Sequence, residues 1–295
     1  MRDTKEYPWK IGSVTKSFTG TMILQMLDEG TIVLDAPVSD YLLGVPNGHS
    51  ITVRQIDSMR SGLYNYSESD EFGATNQAQP YRIWLPAELF ALGHTSPPYF
   101  PPGQGFHYSN TNAVVLGMVI ERLNPRCDGR LGNYVQELNK RMLQPLGLEH
   151  TSMPATILEP CVHGYVPLQD GTFEDVTNYN EAWTWSAGQM VSTLSDMHRY
   201  ARTSIAQHTT ISDNATRQQR RWDTHNVVED DSYGFQMEKL GQYIGHNGSL
   251  PGYSCYVMTN LATRTTVVVM CNLQFALDGV SPAREIMKLI IKHLP

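Results

Sequence analysis

The sequence predicts a mixed fold of the α/β (α+β) kind, an antiparallel sheet flanked by helices and joined to a mostly helical region. Three observations predict it. A long apolar helix follows Ser13, apolar on several faces through Phe18, Met22, Ile23, Leu24, Met26 and Leu27, so it belongs at the centre of a core. From about Asp35 to Arg221, short helical stretches alternate with loops rich in Pro and Gly. Beyond that the apolar period shortens to that of strands. These changes divide the chain into an α/β sheet region, residues 1–34 and 222–295, joined to a mostly helical region, residues 35–221.

Each element has a local reason. The first helix starts at Ser13 and runs to about Glu29, where Gly30 stops it. The pairs Pro97-Pro98 and Pro101-Pro102 stiffen the approach to a turn at Gly103-Gln104-Gly105. Val114–Leu123 and Tyr134–Leu143 read as helices, the second ending before Pro145 and Gly147. Residues 205–230 are polar and read as a surface excursion. Tyr233–Met237, Gln242–Gly245, Tyr253–Thr259 and Thr265–Cys271 read as strands joined by hairpins. Ser281 then caps a last helix, with Pro282 at its first position, ending near His293.

Composition narrows the class. With 295 residues, 41% of them hydrophobic and 17% charged, the chain has enough apolar matter for a full core and is not a disordered one. A net charge of -7 argues against a nucleic-acid partner. No run reaches the roughly 18 apolar residues of a membrane span. The start, MRDTKEYPWK, lacks an apolar signal-peptide core, so the chain as it stands is cytosolic or has lost a leader and its first strands. Cys127, Cys161, Cys255 and Cys271 form no Cys-x-x-Cys pair and are expected as free thiols. The ten histidines show no ligand spacing, so no metal and no cofactor is expected. Gly-x-Ser-x-Gly and phosphate-binding glycine loops are absent as well.

The chemistry lies in three short motifs. In Ser13-Val14-Thr15-Lys16, residues three apart share a helix face, so Lys16 can reach and activate the Ser13 hydroxyl. The helix N-terminus favours a neutral lysine and a developing oxyanion. Read blandly, Ser13 would only cap the helix. In Tyr108-Ser109-Asn110, a phenol can relay a proton, and an amide can orient a substrate carbonyl or the lysine. Otherwise it is a turn tyrosine followed by a cap. In His246-Asn247-Gly248, a glycine on an edge strand lets a substrate backbone approach closely; the plain alternative is a hairpin turn at Asn-Gly. Each motif occurs once, in this order, in contexts that suit acyl transfer.

Together these residues resemble the penicillin-recognising serine enzymes: class C β-lactamases, penicillin-binding DD-peptidases, D-aminopeptidases and esterases of the same fold. The resemblance spans nearly the whole chain, through Trp9–Leu34, Ile51–Leu63, Tyr108–Gly117, Trp183–Tyr200 and Gly245–Tyr253. Within the group the chain looks most like D-alanyl-D-alanine carboxypeptidases and alkaline D-peptidases. The resemblance implies a β-lactamase/transpeptidase-like fold. It also implies a serine hydrolase that acts through an acyl-enzyme on D-amino-acid peptides or β-lactams. The alternatives are a carboxylesterase and a non-catalytic peptide binder. Ser13 would be the nucleophile, and Lys16 or Tyr108 the base. Asn110, His246, Asn247, Gly248, Ser249 and Trp183 would contact a small-molecule or peptide substrate, with Phe72 beside Trp183 as a pocket wall. The oxyanion would lie between the N–H of Ser13 and that of Tyr253 or Ser254. Relatives of this group are usually secreted or periplasmic.

Departures from the pattern also imply something. Asn247 stands where threonine or serine is usual, Met59 where histidine is common, and Asp57 where leucine or methionine is. Glu238, followed by Lys239, stands where related peptidases carry bases for a substrate carboxylate. Only twelve residues precede Ser13, where relatives have a helix and two strands. An open sheet edge, a partly bare face at Ile286, Leu289 and Ile290, and self-association are expected from this.

Overall fold

The computed structural model describes residues 4–125, 132–205, 225–228 and 231–294. Its helices are α1 (Val14–Asp28), α2 (Val53–Asp57), α3 (Asp70–Ala78), α4 (Pro86–Leu92), α5 (Asn110–Leu123), α6 (Tyr134–Leu138), α7 (Gln144–Leu146), α8 (Leu194–Tyr200) and α9 (Pro282–His293). The strands are β1 (Trp9–Lys10), β2 (Tyr165–Pro167), β3 (Phe173–Asp175), β4 (Val191–Ser192), β5 (His225–Val228), β6 (Asp231–Gly234), β7 (Met237–Leu240), β8 (Tyr243–Leu250), β9 (Tyr253–Asn260) and β10 (Thr266–Cys271). The last six form one antiparallel sheet in the order β10-β9-β8-β7-β6-β5; β1 pairs with β4, and β2 with β3. This is the expected fold class, antiparallel sheet with helices.

The sheet divides two apolar layers by its period of two. On β9, Cys255 and Val257 join the main core with α1 and α5, while Tyr256 and Met258 face α9 with Val267, Val269, Ala283 and Met287. All eight residues of β9 are buried, so its sequence shows no polar alternation. Helix α1 is the hub: every residue from Val14 to Met26 is buried. Its apolar surface therefore packs all round, as the sequence led one to expect.

Several boundaries differ from the sequence reading. Tyr233–Met237 is two strands, split by a hairpin turn at Phe235 (φ 49°) and Gln236 (φ 55°). Positive φ at two non-glycine residues is tolerated here because the turn is buried. Gln236 donates its backbone N–H to the Asp57 carbonyl at 2.9 Å. A Cβ on Gly20 of α1 would come within 2.8 Å of Gln236 Cβ, so glycine there admits the turn. Strand β8 continues to Leu250, so Asn247-Gly248 is strand and the turn falls at Pro251-Gly252. The helix expected over Tyr134–Leu143 changes to a π turn at Asn139–Leu143 before α7. Residues 225–228 form a strand, and the rest of the expected surface excursion, like Cys127, lies largely outside the described residues.

Cys255 is buried, and Cys161 and Cys271 are half-buried; all three are free thiols. No helix among the described residues is long and apolar enough to cross a membrane. On α9, Ile286 and Leu289 are exposed at 41% and 60%, as expected of a partly bare face, whereas Ile290, expected there too, packs partly buried against the cluster of Met258, Val267 and Met287.

Candidate active site

Gly12 sets the site in place. Its φ of 53° lies in the left-handed region, and the chain turns there into α1. Strand β8 runs directly against this turn. A Cβ added to Gly12 would meet the Ser249 nitrogen at 2.8 Å, and one added to Gly248 would meet the Ile11 carbonyl oxygen at 2.0 Å. Both glycines are needed for two backbones to touch.

Ser13 occupies the N-cap position of α1, but its side chain makes no capping hydrogen bond. Its Oγ lies 3.0 Å from Lys16 Nζ, and the hydroxyl also hydrogen-bonds Tyr108. The hydroxyl is thus spent on two proton-handling neighbours, and Ser13 itself is half-exposed to the pocket. Lys16 is fully buried and donates to the Ala187 carbonyl at 2.8 Å. Burial holds its amine well below the ordinary lysine range. Lys16 Nζ also lies 4.9 Å from the centre of the Tyr108 ring. Burial pushes the Tyr108 phenol above its ordinary range; the bond from Ser13 works the other way, and the charge of Glu238 adds to the rise. The two candidate bases are therefore shifted in opposite directions, the amine down and the phenol up.

The remaining sequence-predicted residues surround this triplet in part. His246 is buried, with Nε2 3.1 Å from the Tyr233 hydroxyl and Nδ1 2.6 Å from the Asn247 carbonyl. The rings of Tyr108, Tyr233 and His246 form one cluster, with centroids 5.6 to 6.2 Å apart. Asn247 donates to Glu238 Oε2 at 2.9 Å. Ser249 Oγ accepts from Gln274 Nε2 at 3.1 Å. Asn110 begins α5 and donates to Ser67 Oγ at 3.1 Å, and its backbone N–H goes to Asn65 Oδ1. Trp183 is half-buried and donates its indole N–H to Glu181 at 2.8 Å. Phe72 is only 5% exposed, packed at 5.3 to 5.6 Å on Tyr66, Trp84 and Trp183, so it supports the wall from behind.

Two features escaped the sequence reading. The backbone that touches the Gly12 turn is Gly248–Ser249 of β8; Tyr253 and Ser254 lie one strand further out, and their hydroxyls bond Val162 and Leu273. The second is a buried ion pair, Lys10 Nζ to Glu181 Oε1 at 2.9 Å, behind Trp183. Burial raises the Glu181 carboxyl, and the Lys10 charge pulls it back. Its partners lie 171 residues apart, so no local signal marks them.

Comparison with known proteins bears on the family and the fold. The chain is 25% identical over 288 residues to "Protein flp" of Staphylococcus aureus (strain MW2), across 90% of this chain and 53% of that protein. It is 23% identical over 282 residues to "Penicillin-binding protein 4*" of Bacillus subtilis (strain 168), across 90% of this chain and 60% of that one. It thus spans little more than half the length of these curated relatives. Its structure superposes on a D-stereospecific amidohydrolase from Streptomyces sp. with a TM-score of 0.85, at 28% identity, covering 96% of this chain and 86% of the other. A family profile described as Beta-lactamase matches residues 4–290, and the chain belongs to that family.

Proposed function

We propose that the chain is a serine acyl-transfer hydrolase acting on amide bonds of D-amino-acid peptides or amides, β-lactams included. The observation that carries this is the 3.0 Å contact between Ser13 Oγ and a fully buried Lys16 amine. Neutral Lys16 takes the Ser13 proton as Oγ bonds to the substrate carbonyl carbon. The N–H groups of Ser13 and Ser249 are our candidates for holding the oxyanion. When the C–N bond breaks, the proton passes from Lys16 to the leaving amine, with Tyr108 as relay. Water then cleaves the Ser13 ester. The likeness to a D-stereospecific amidohydrolase supports the choice of substrate class.

Glu238 favours a second reading. It bonds Asn247 and bears on Tyr108, so the site carries a carboxylate where a free substrate carboxylate would be repelled. A neutral carboxylic ester suits such a site. Intact mass spectrometry after incubation with a penicillin tests the mechanism: a stable adduct on Ser13, absent in Ser13→Ala, is expected. Absence of an adduct and of any turnover in the folded protein would overturn it. Turnover of p-nitrophenyl butyrate without turnover of D-amino-acid amides or peptides would transfer the assignment to the ester.

A further inference from the structure

We propose that Glu159, Cys161 and His163, supported by Asp175, form a binding site for a divalent cation of the zinc class. The three residues stand at alternate positions, the spacing that turns side chains to one side of an extended chain. Their donor atoms, a carboxylate oxygen, the thiol sulfur and an imidazole nitrogen, all lie within 4.8 Å of one another. Oxygen, sulfur and nitrogen together are a zinc-type donor set.

The surroundings are those a metal-bound histidine needs. His163 Nδ1 lies 2.7 Å from Asp175 Oδ2, which fixes the ring and presents Nε2 to Glu159 Oε1 at 2.8 Å. Asp175 is itself held, because its Oδ1 accepts from the Thr177 hydroxyl and backbone N–H. A carboxylate behind the imidazole is the usual outer support of a metal ligand. The segment is pinned on both sides. Val162 donates to the Pro8 carbonyl at 3.0 Å, Tyr253 donates its hydroxyl to the Val162 carbonyl at 2.8 Å, and Asn272 donates to the His163 carbonyl at 3.1 Å.

The Glu159–His163 contact is a hydrogen bond whose proton occupies the place of a cation. Tetrahedral coordination at zinc bond lengths separates donors by about 3.3 to 3.7 Å, so the cluster closes with movements on the order of 1 Å. On binding, the Cys161 Sγ–H and any proton between Glu159 and His163 pass to solvent, and water fills the fourth position. Glu159 is exposed and the other two are half-exposed, which leaves an entry path. The expectation of no metal from histidine spacing missed this cluster because only one histidine takes part and its support comes from β3.

The test is titration of the chelator-stripped chain with Co²⁺, then Zn²⁺. One equivalent of Co²⁺ should give a thiolate-to-cobalt charge-transfer band with tetrahedral d–d bands, and Zn²⁺ should displace it. Cys161→Ser should lose the charge-transfer band while Cys127→Ser keeps it. Asp175→Asn should keep the band and weaken affinity about 10- to 100-fold. Near-ultraviolet circular dichroism of each variant establishes that it is folded. No thiolate band at one equivalent, a band that survives in Cys161→Ser, or unchanged affinity in Asp175→Asn would overturn the assignment. None of these readouts depends on acyl transfer.

Discussion

Lys16 is a lysine without a place for its charge. Its amine is fully buried, 2.8 Å from the Ala187 carbonyl and 3.0 Å from Ser13 Oγ. Depression of its pKa makes the neutral amine available well below the roughly 10.4 of a free lysine. The acid limb of kcat/KM should therefore report Lys16, and the limb should vanish with the activity in Lys16→Ala. Stability follows the same shift with the opposite sign to a salt bridge. The folded pKa is below the unfolded one, so the unfolded chain binds more protons between the two values. The cost of burying Lys16 is full below the folded pKa and is relieved as pH rises toward about 10.4. Lys16→Met should therefore melt higher than the parent protein at neutral pH, and the difference should shrink in alkali. A difference independent of pH would mean that the amine is not buried in the charged-averse setting described. Tyr108→Phe should slow acylation while leaving substrate binding nearly unchanged, as expected of a relay; rapid penicillin adduct formation in this variant would remove Tyr108 from the proton path. At Glu238 the prediction concerns preference. Glu238→Arg should shift kcat/KM toward acyl-D-Ala-D-Ala over its methyl ester, because a guanidinium can pair with the free carboxylate. An unchanged ratio would place Glu238 outside the substrate's reach.

Strand β8 touches the turn at Ile11-Gly12 backbone to backbone. A methyl at Gly248 would stand 2.0 Å from the Ile11 oxygen, which forces strand and turn apart. Gly248→Ala should cost about 1–3 kcal/mol of stability, as overpacking does. Turnover should fall further than stability, since Ser13 and the Ser249 N–H would no longer share one pocket. Unchanged melting and unchanged turnover would contradict the packing. The same strand shows where sequence reading fell short. Asn247-Gly248 is a strong turn signal, but here glycine serves close approach inside a strand. The neighbouring hairpin has the reverse character: Phe235 and Gln236 turn without glycine, because Asp57 and α1 hold the turn from outside it. Helix α1, by contrast, was legible to within a residue at each end, since an apolar run, a start at Ser13 and a stop at Gly30 agree. Ser13 and Lys16 were legible for the same reason, three residues apart on one helix. The Lys10–Glu181 pair and the Ser249 backbone were not, because only the tertiary fold brings them in.

Across the molecule, apolar surface is buried on both sides of the sheet, and part of α9 beside it stays exposed. Strand β10 has β9 as its only ladder partner among the described residues. Beside it α9 exposes Ile286 and Leu289. A terminal strand of a sheet next to an apolar helix face invites pairing. Concentration-dependent self-association is expected by light scattering, and Leu289→Glu should reduce it. A monomer at all concentrations with a melting temperature above about 65 °C would contradict this, because it exceeds the usual mesophile range.

The meeting of Ile11 with β8 and β9 has a consequence for the birth of the protein. The Cys255 thiol donates to the Ile11 carbonyl across 244 residues of chain. On the ribosome, which adds about 5–20 residues per second, Ser13 emerges well before the strand that lies against it. During that interval α1, which the finished fold buries along most of its length, has no sheet to lie against. Helix α1 stays without its sheet until β8 and β9 are made, and any product that stops short of β8 carries Ser13 without the backbone that packs on it.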